Sequence, residues 1–243
     1  MLYPHGPFLL VNRPFLTPFG GYLLGTDMLG RDVAAGIAYG ARTSLLIGTT
    51  ATVVAVFLGV FIGGTAGYYG GLIDEFCMRV TEIFQTIPSF ILAILLVAIL
   101  GASIANVVVA IAVVSWPPMA RLVRGEFISV RKREFVEAGI SIGLSEPRVI
   151  FVHILPNVLS PIIVTGSLMV ATAILVESGL SFLGLSDPNA MSWGFMVGGA
   201  RDFLRRAWWL SATPGAAIAL TVLSINLVGD GLNDSLNPRL RNM

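Results

Sequence analysis

Residues Arg121–Pro156 read RLVRGEFISVRKREFVEAGISIGLSEPRVIFVHILP, a charged insert between two segments apolar enough to lie in lipid. It holds ten of the chain's 29 charged residues, 15 basic and 14 acidic. So charged a stretch must lie outside the bilayer, where another molecule can read it. Gly139 and Gly143 stand four apart, on one face if the stretch is helical. Each glycine in a helix interior costs about 1 kcal/mol relative to alanine, so the pair costs about 2. A free surface helix gains nothing from that cost, whereas a helix that presses its backbone against another protein does. Ser145 fits an N-cap, with Glu146 and Pro147 in the first turn, where a missing N–H does no harm and a carboxylate suits the helix dipole. The stretch is predicted to form a helix, a tight turn at Leu144-Ser145 and a second helix; the residues alone leave open an ordinary solvated loop.

The rest of the composition agrees with a membrane setting. The 243 residues are 55% hydrophobic and 12% charged, with mean hydropathy +0.84, against about 25% charged in soluble domains. A net charge of +1 gives no basic field for nucleic acid. The single cysteine, Cys77, excludes an internal disulfide and a cysteine-built metal site. The N-terminal MLYPHGPFLLVNRPF lacks a basic n-region and has only a short apolar run, so it is neither a signal peptide nor a membrane helix.

Taken in order, residues 1–43 are rich in Pro and Gly and read as irregular structure. Ser44–Tyr68 is long enough for a first span. Gly59, Gly63 and Gly67 form a small-residue stripe along it, read either as a close helix–helix seam or as the ordinary glycine content of membrane helices. Asp74, Glu75, Arg79 and Glu82 mark a short polar stretch. A second span runs from near Ile83 through Pro88 to Gly101, and Gly101–Ala105 is a tight turn. A third begins at Ile104, with Pro117-Pro118 bending or ending it. A fourth runs from near Val158 to Val176, with Glu177 at its far end, near the interface or facing the protein interior, read as an interfacial marker or as part of a substrate pathway. A mixed excursion over Ser178–Trp209 precedes the last span, about Thr213–Val228, and Trp208-Trp209 read as interface anchors.

The insert resembles the Glu-Ala-Ala loop of the permease subunits of ABC importers. Glu137-Ala138-Gly139 is followed by Gly143 and, nine residues on, by His153-Ile154-Leu155-Pro156. Gly139 and His153 depart from the general motif, but His-Ile-Leu-Pro-Asn is the usual spelling in the dipeptide, oligopeptide and nickel branch. Gly25–Ser44 (GTDMLGRDVAAGIAYGARTS), the external Leu-Ser-Phe-Leu-Gly-Leu followed by Trp-Gly, and the C-terminal Asp-Ser-Leu-Asn-Pro-Arg-Leu-Arg resemble the same branch. The resemblance implies an all-α polytopic membrane protein with the type I ABC importer permease fold. Its organisation would be an extracytoplasmic segment 1–43, a transmembrane domain 44–232 with the cytoplasmic loop 121–156, and a cytoplasmic tail 233–243. Five spans are read here where the family has six; the expectation is that the sequence starts downstream of the true start, the alternative being a permease without the first helix.

By resemblance, the ATPase-docking loop comprises Glu137, Ala138, Gly139, Gly143, Ser145, Glu146, Pro147, His153, Leu155 and Pro156, and Gly59, Gly63 and Gly67 pack helices. Also by resemblance, the partners are a second homologous permease, two ABC ATPase subunits that bind ATP and Mg, and an extracytoplasmic solute-binding protein in the inner membrane of a prokaryote. The chain has no P-loop, so it is expected to bind no cofactor and to hydrolyse no ATP by that route. Placing the loop in the cytoplasm puts nine basic residues inside and six outside, in the sense of the positive-inside rule.

Two other classes are weighed. An intramembrane hydrolase would have only His5 and His153 to use, and neither a nucleophile elbow nor a His-Glu-x-x-His pair is expected. An ion-coupled transporter or channel usually needs ionisable groups inside its spans, whereas Glu177 and Asp230 lie near span ends. The substrate is limited by resemblance to peptides or nickel; two histidines and one cysteine build no nickel site, which favours peptides.

Overall fold

In lipid every backbone N–H and C=O must be satisfied within the chain, which leaves helices as the means of crossing for segments such as these. The computed structural model describes residues 4–236. Among them there is no strand, only the isolated bridges Leu10–Arg31 and Thr26–Asp32. The helices are α1 (Val33–Tyr69), α2 (Gly71–Thr86), α3 (Ser89–Leu100), α4 (Ile104–Arg131), α5 (Glu134–Ser141), the short α6 (Glu146–Arg148), α7 (Leu155–Phe182), α8 (Trp193–Ala200) and α9 (Trp209–Leu236). The all-α membrane architecture expected from the sequence is what forms. Among the described residues, four helical stretches are long and apolar enough to cross a membrane: Val33–Tyr69, Ile104–Arg131, Glu146–Phe182 and Trp209–Ser235; the bent pair α2–α3 makes a fifth if counted as one span.

The chain divides into two compact units. The first comprises residues 1–51, 93–111 and 170–225, the second residues 52–92, 112–169 and 226–243. In the first, Val33, Ala207, Trp209 and Leu210 form one buried cluster, and Ile174, Trp193 and Ile218 another. In the second, Met119, Val123, Phe127 and Val130 of α4 pack with Tyr68, Val136, Val149, Ile154, Val158 and Ile162.

Several boundaries differ from the expectation. Helix begins at Val33 rather than Ser44, because Asp32 Oδ1 accepts the Ala34 N–H at 2.9 Å and opens α1 there; residues 33–43 are therefore not irregular. The second expected span is not one straight helix: α2 and α3 meet at 84°. Ile87, held extended at φ −92°, ψ 130° by the proline that follows it, ends α2. Pro117 and Pro118 neither end nor break α4, which runs on to Arg131. Interior prolines cost about 3 kcal/mol each, but Trp116, Met119 and Ala120 beside them are buried in the second unit, so packing holds the helix together. The fourth span starts at Leu155 and reaches Phe182; it follows a π-helical turn, Val149–Ile154, in which the Leu155 N–H reaches Ile150 O. The last helix extends from Trp209 to Leu236. The sequence's C-terminal Asn-Pro-Arg-Leu-Arg, with Arg239 and Arg241, lies outside the described residues.

Candidate functional site

The insert forms α5, a turn and α6, and its glycines have a local reason. Gly143 sits at φ +82°, in the left-handed region that L side chains avoid. Its N–H donates to Ile140 O at 3.0 Å and the Leu144 N–H donates to Gly139 O at 3.1 Å. This is the Schellman end of a helix, in which a side chain just past the glycine folds back onto the last turn. Leu144 is that side chain: a Cβ on Gly139 would lie 3.2 Å from Leu144 Cδ1, whereas one on Gly143 would meet nothing within 4 Å. The two glycines therefore build one turn, and Gly143 lies just past the end of α5 rather than in a helix interior.

Around this turn the loop has a buried root and an exposed edge. Val136, Val149 and Ile154 are buried with Val130, Phe127 and Tyr68. Glu137, Ala138, Ser145, Glu146, Pro147 and Pro156 are exposed, Leu155 and His153 half-buried and Gly139 buried. Ile142 is 78% exposed, and Phe151 and Val152 are also open. Ser145 occupies the N-cap position, at φ −65° and ψ 144°, but its side chain makes no capping hydrogen bond. Tyr69 Oη donates to Glu146 Oε2 at 3.2 Å, and His153 Nδ1 lies 3.4 Å from Arg148 O. The loop also spells Gly139-Ile140-Ser141-Ile142-Gly143, the letters of a hydrolase elbow that the sequence reading did not expect. An elbow places its serine on a strand-to-helix turn; Ser141 is the exposed last residue of a helix, so the letters carry no nucleophile.

Beneath the loop, Arg124 Nη2 donates to Asp74 Oδ2 at 2.6 Å and its Nε to Asp74 Oδ1, a two-pronged pair joining α4 to α2. Arg131 stacks over Tyr68, 5.1 Å from the ring centre. The glycine stripe of α1 faces α4. A Cβ on Gly59 would lie 2.5 Å from Met119 Cγ, one on Gly67 2.7 Å from Arg124 O, and one on Gly63 would overlap the Ala120 backbone. Sequence spacing gave no sign of Asp74–Arg124, whose partners are 50 residues apart.

The first unit contains a second polar cluster. Glu177 is only 1% exposed, so at the far end of its span it faces the protein interior. Ser181 Oγ donates to its Oε1 at 2.8 Å and Ser44 Oγ to its Oε2 at 3.4 Å. Ser44 Oγ also accepts the Trp193 N–H at 3.2 Å, so the cluster ties α1, α7 and the start of α8 together. The i,i+4 spacing of Glu177 and Ser181 was visible in the sequence; the long-range partner Ser44 was not.

Residues 55–242 match the family described as "Binding-protein-dependent transport system inner membrane component". The chain belongs to that family. It is 43% identical over 222 residues to the di/tripeptide transport system permease protein DppC of Pseudomonas aeruginosa (strain UCBPP-PA14), covering 91% of this chain and 73% of that one. It is 45% identical over 225 residues to the dipeptide transport system permease protein DppC of Alkalihalophilus pseudofirmus, covering 92% and 74%. An inward-facing structure of the MetNI methionine ABC transporter superposes with a TM-score of 0.65 at 17% identity, over 84% of this chain and 96% of that one; this likeness concerns the fold. The chain is thus a multi-pass inner-membrane component of a binding-protein-dependent transport system, as the loop's spelling implied.

Proposed function

We propose that this permease-family chain is one membrane-spanning subunit of an ATP-driven importer of short peptides. The observation that carries the reading is the loop of residues 134–156, whose apolar edge is open while its other side is buried in the second unit. The peptide-transport relatives support peptides over nickel as cargo. In this reading, Glu137, Ala138, Gly139, Gly143, Ser145, Glu146, Pro147, His153, Leu155 and Pro156 form the segment on which an ABC ATPase subunit seats. Two such ATPases hold ATP and Mg, a second homologous permease completes the pore, and an extracytoplasmic solute-binding protein delivers the peptide. The loop and residues 233–243 face the cytoplasm, and residues 1–43 face outward.

The buried root gives the loop its mechanical role. When ATP draws the ATPases together, a seated loop moves with them. Val136, Val149 and Ile154 then pass that motion to α1, α4 and α7, because packed cores shift between discrete arrangements rather than deforming smoothly. Gly59, Gly63 and Gly67 keep α1 close enough to α4 to move with it. The test is purification of the tagged chain from native membranes, with mass spectrometry of its companions, and then dipeptide uptake into proteoliposomes. Two ATPases, a second permease and ATP-dependent uptake are expected. A chain that purifies alone and transports an ion-coupled solute without ATP would overturn the proposal in favour of a secondary transporter.

A further inference from the structure

The Gly-Thr-Asp-Met-Leu-Gly-Arg-Asp segment, residues 25–32, has no part in the loop mechanism, and nearly every polar group in it has a local partner. Gly25 and Gly30 make turns at φ +75° and +84°. Thr26 Oγ1 accepts the Leu16 N–H at 2.9 Å and donates to Arg13 O at 2.7 Å. Asp27 Oδ1 accepts the N–H groups of Leu29 and Arg31, each at 2.8 Å, and Asp32 Oδ1 caps α1 through Ala34. Arg31 is the exception. Its guanidinium lies over Phe8, 5.0 Å from the ring centre, and its Nε is buried with no hydrogen-bond partner. The ion pairs among the described residues are Arg79–Glu82, Arg124–Asp74 and Arg201–Asp202, so Arg31 is in none of them.

Arg31 forms part of the wall of an open cavity of about 180 Å³ within the first unit. Most of the wall is apolar, including Met28, Val33, Phe195, Met196 and Leu210, and it also contains Asp27 and Asp32. A guanidinium on the cavity wall that is in no ion pair suits a carboxylate, which a planar cation binds through paired hydrogen bonds. One cation beside two carboxylates disfavours a bare anion and suits a ligand that bears both charges. We infer that this cavity is a subsite for a zwitterionic peptide with an apolar side chain. Its α-carboxylate meets Arg31, its side chain lies among Val33, Phe195 and Met196, and its ammonium faces Asp27 and Asp32. The inference rests on the peptide reading above and assigns this chain a place where the cargo itself is read.

The test uses the assembled transporter without its binding protein. Equilibrium dialysis measures binding of leucyl-leucine and of leucyl-leucinamide, which lacks the carboxylate. The wild type is expected to bind the acid at least tenfold more tightly than the amide. Arg31→Ala should erase that preference by weakening the acid alone, and Arg31→Lys should keep part of it. Gly199→Leu grows into the cavity from a wall position where a Cβ would meet only Met28 Cε, at 3.8 Å; it should weaken both ligands. Should Arg31→Ala not assemble on size exclusion, Arg31→Lys and Gly199→Leu decide the matter. Acid binding unchanged in the variants, or acid and amide weakened alike by the Arg31 variants, would overturn the inference. So would native mass spectrometry showing phospholipid lost from Arg31→Ala while dipeptide binding persists, since that outcome marks a lipid site. A wild-type complex that neither binds dipeptide nor takes it up with its binding protein removes the peptide reading and this inference together; uptake without Arg31-dependent binding removes the inference alone.

Discussion

Gly143 shows how much a single backbone angle can decide. At φ +82°, an alanine there costs about 1–2 kcal/mol from Cβ crowding alone, although the space around it is empty. Gly139→Ala tests a different constraint, since the new methyl lies 3.2 Å from Leu144 Cδ1 and the leucine must give by a few tenths of an ångström. The expected order in a thermal-unfolding assay in detergent is therefore wild type, then Gly139→Ala, then Gly143→Ala, with limited proteolysis cutting first near Ile142-Gly143 in the last. Equal stability of Gly143→Ala and wild type would mean that the loop adopts another turn. Glu177 makes the complementary point about side chains. Its burial is compatible with lipid because hydroxyls supply donors to its carboxylate oxygens, and that arrangement depends on a serine 133 residues away in the chain.

At the scale of elements, what could be read in the sequence was what local chemistry determines. The helix–turn–helix of the insert followed from Ser145-Glu146-Pro147, because cap preferences act over a few residues, whereas Gly143, read as helix interior, is the residue that ends the helix. Of the two outcomes expected of the proline pair in α4, bending or ending, the ending does not occur, for the opposite reason: whether Pro117-Pro118 ends a helix depends on what covers Trp116, Met119 and Ala120, and no local pattern records that. The 84° bend between α2 and α3 was missed, since the expected span ran straight through Pro88. The α1–α4 seam can be tested by a matched pair. A methyl at Gly63 lands on the Ala120 backbone, which cannot move aside, whereas one at Gly166 meets only Val56 Cγ2 at an ordinary 3.4 Å. Overpacking typically costs 1–3 kcal/mol, so Gly63→Ala should lose at least about 2 kcal/mol and elute as a broad, aggregating peak. Gly166→Ala should elute like the wild type, and if both variants do so the seam is not tight.

For the whole molecule, the proposed transport cycle depends on an open apolar edge being covered by a partner, and Ile142 isolates that claim. At 78% exposed and outside the helices, its replacement changes the chain's own stability by no more than about 0.5 kcal/mol. The C-cap geometry it occupies, φ −84° and ψ 5°, is open to aspartate. If an ATPase subunit seats there, however, Ile142→Asp forces a carboxylate into an apolar interface, and central interface positions lose about 2 kcal/mol or more on such changes. That corresponds to roughly thirtyfold weaker association. The variant should therefore insert and purify in wild-type yield, keep its elution volume as a lone subunit, and lose the ATPases on dilution. Binding-protein-stimulated ATP hydrolysis should fall with them, while Ile142→Leu retains both. Wild-type retention of the ATPases by Ile142→Asp would place the docking surface elsewhere on the loop, and the buried root over Val136 and Ile154 would then serve stability alone.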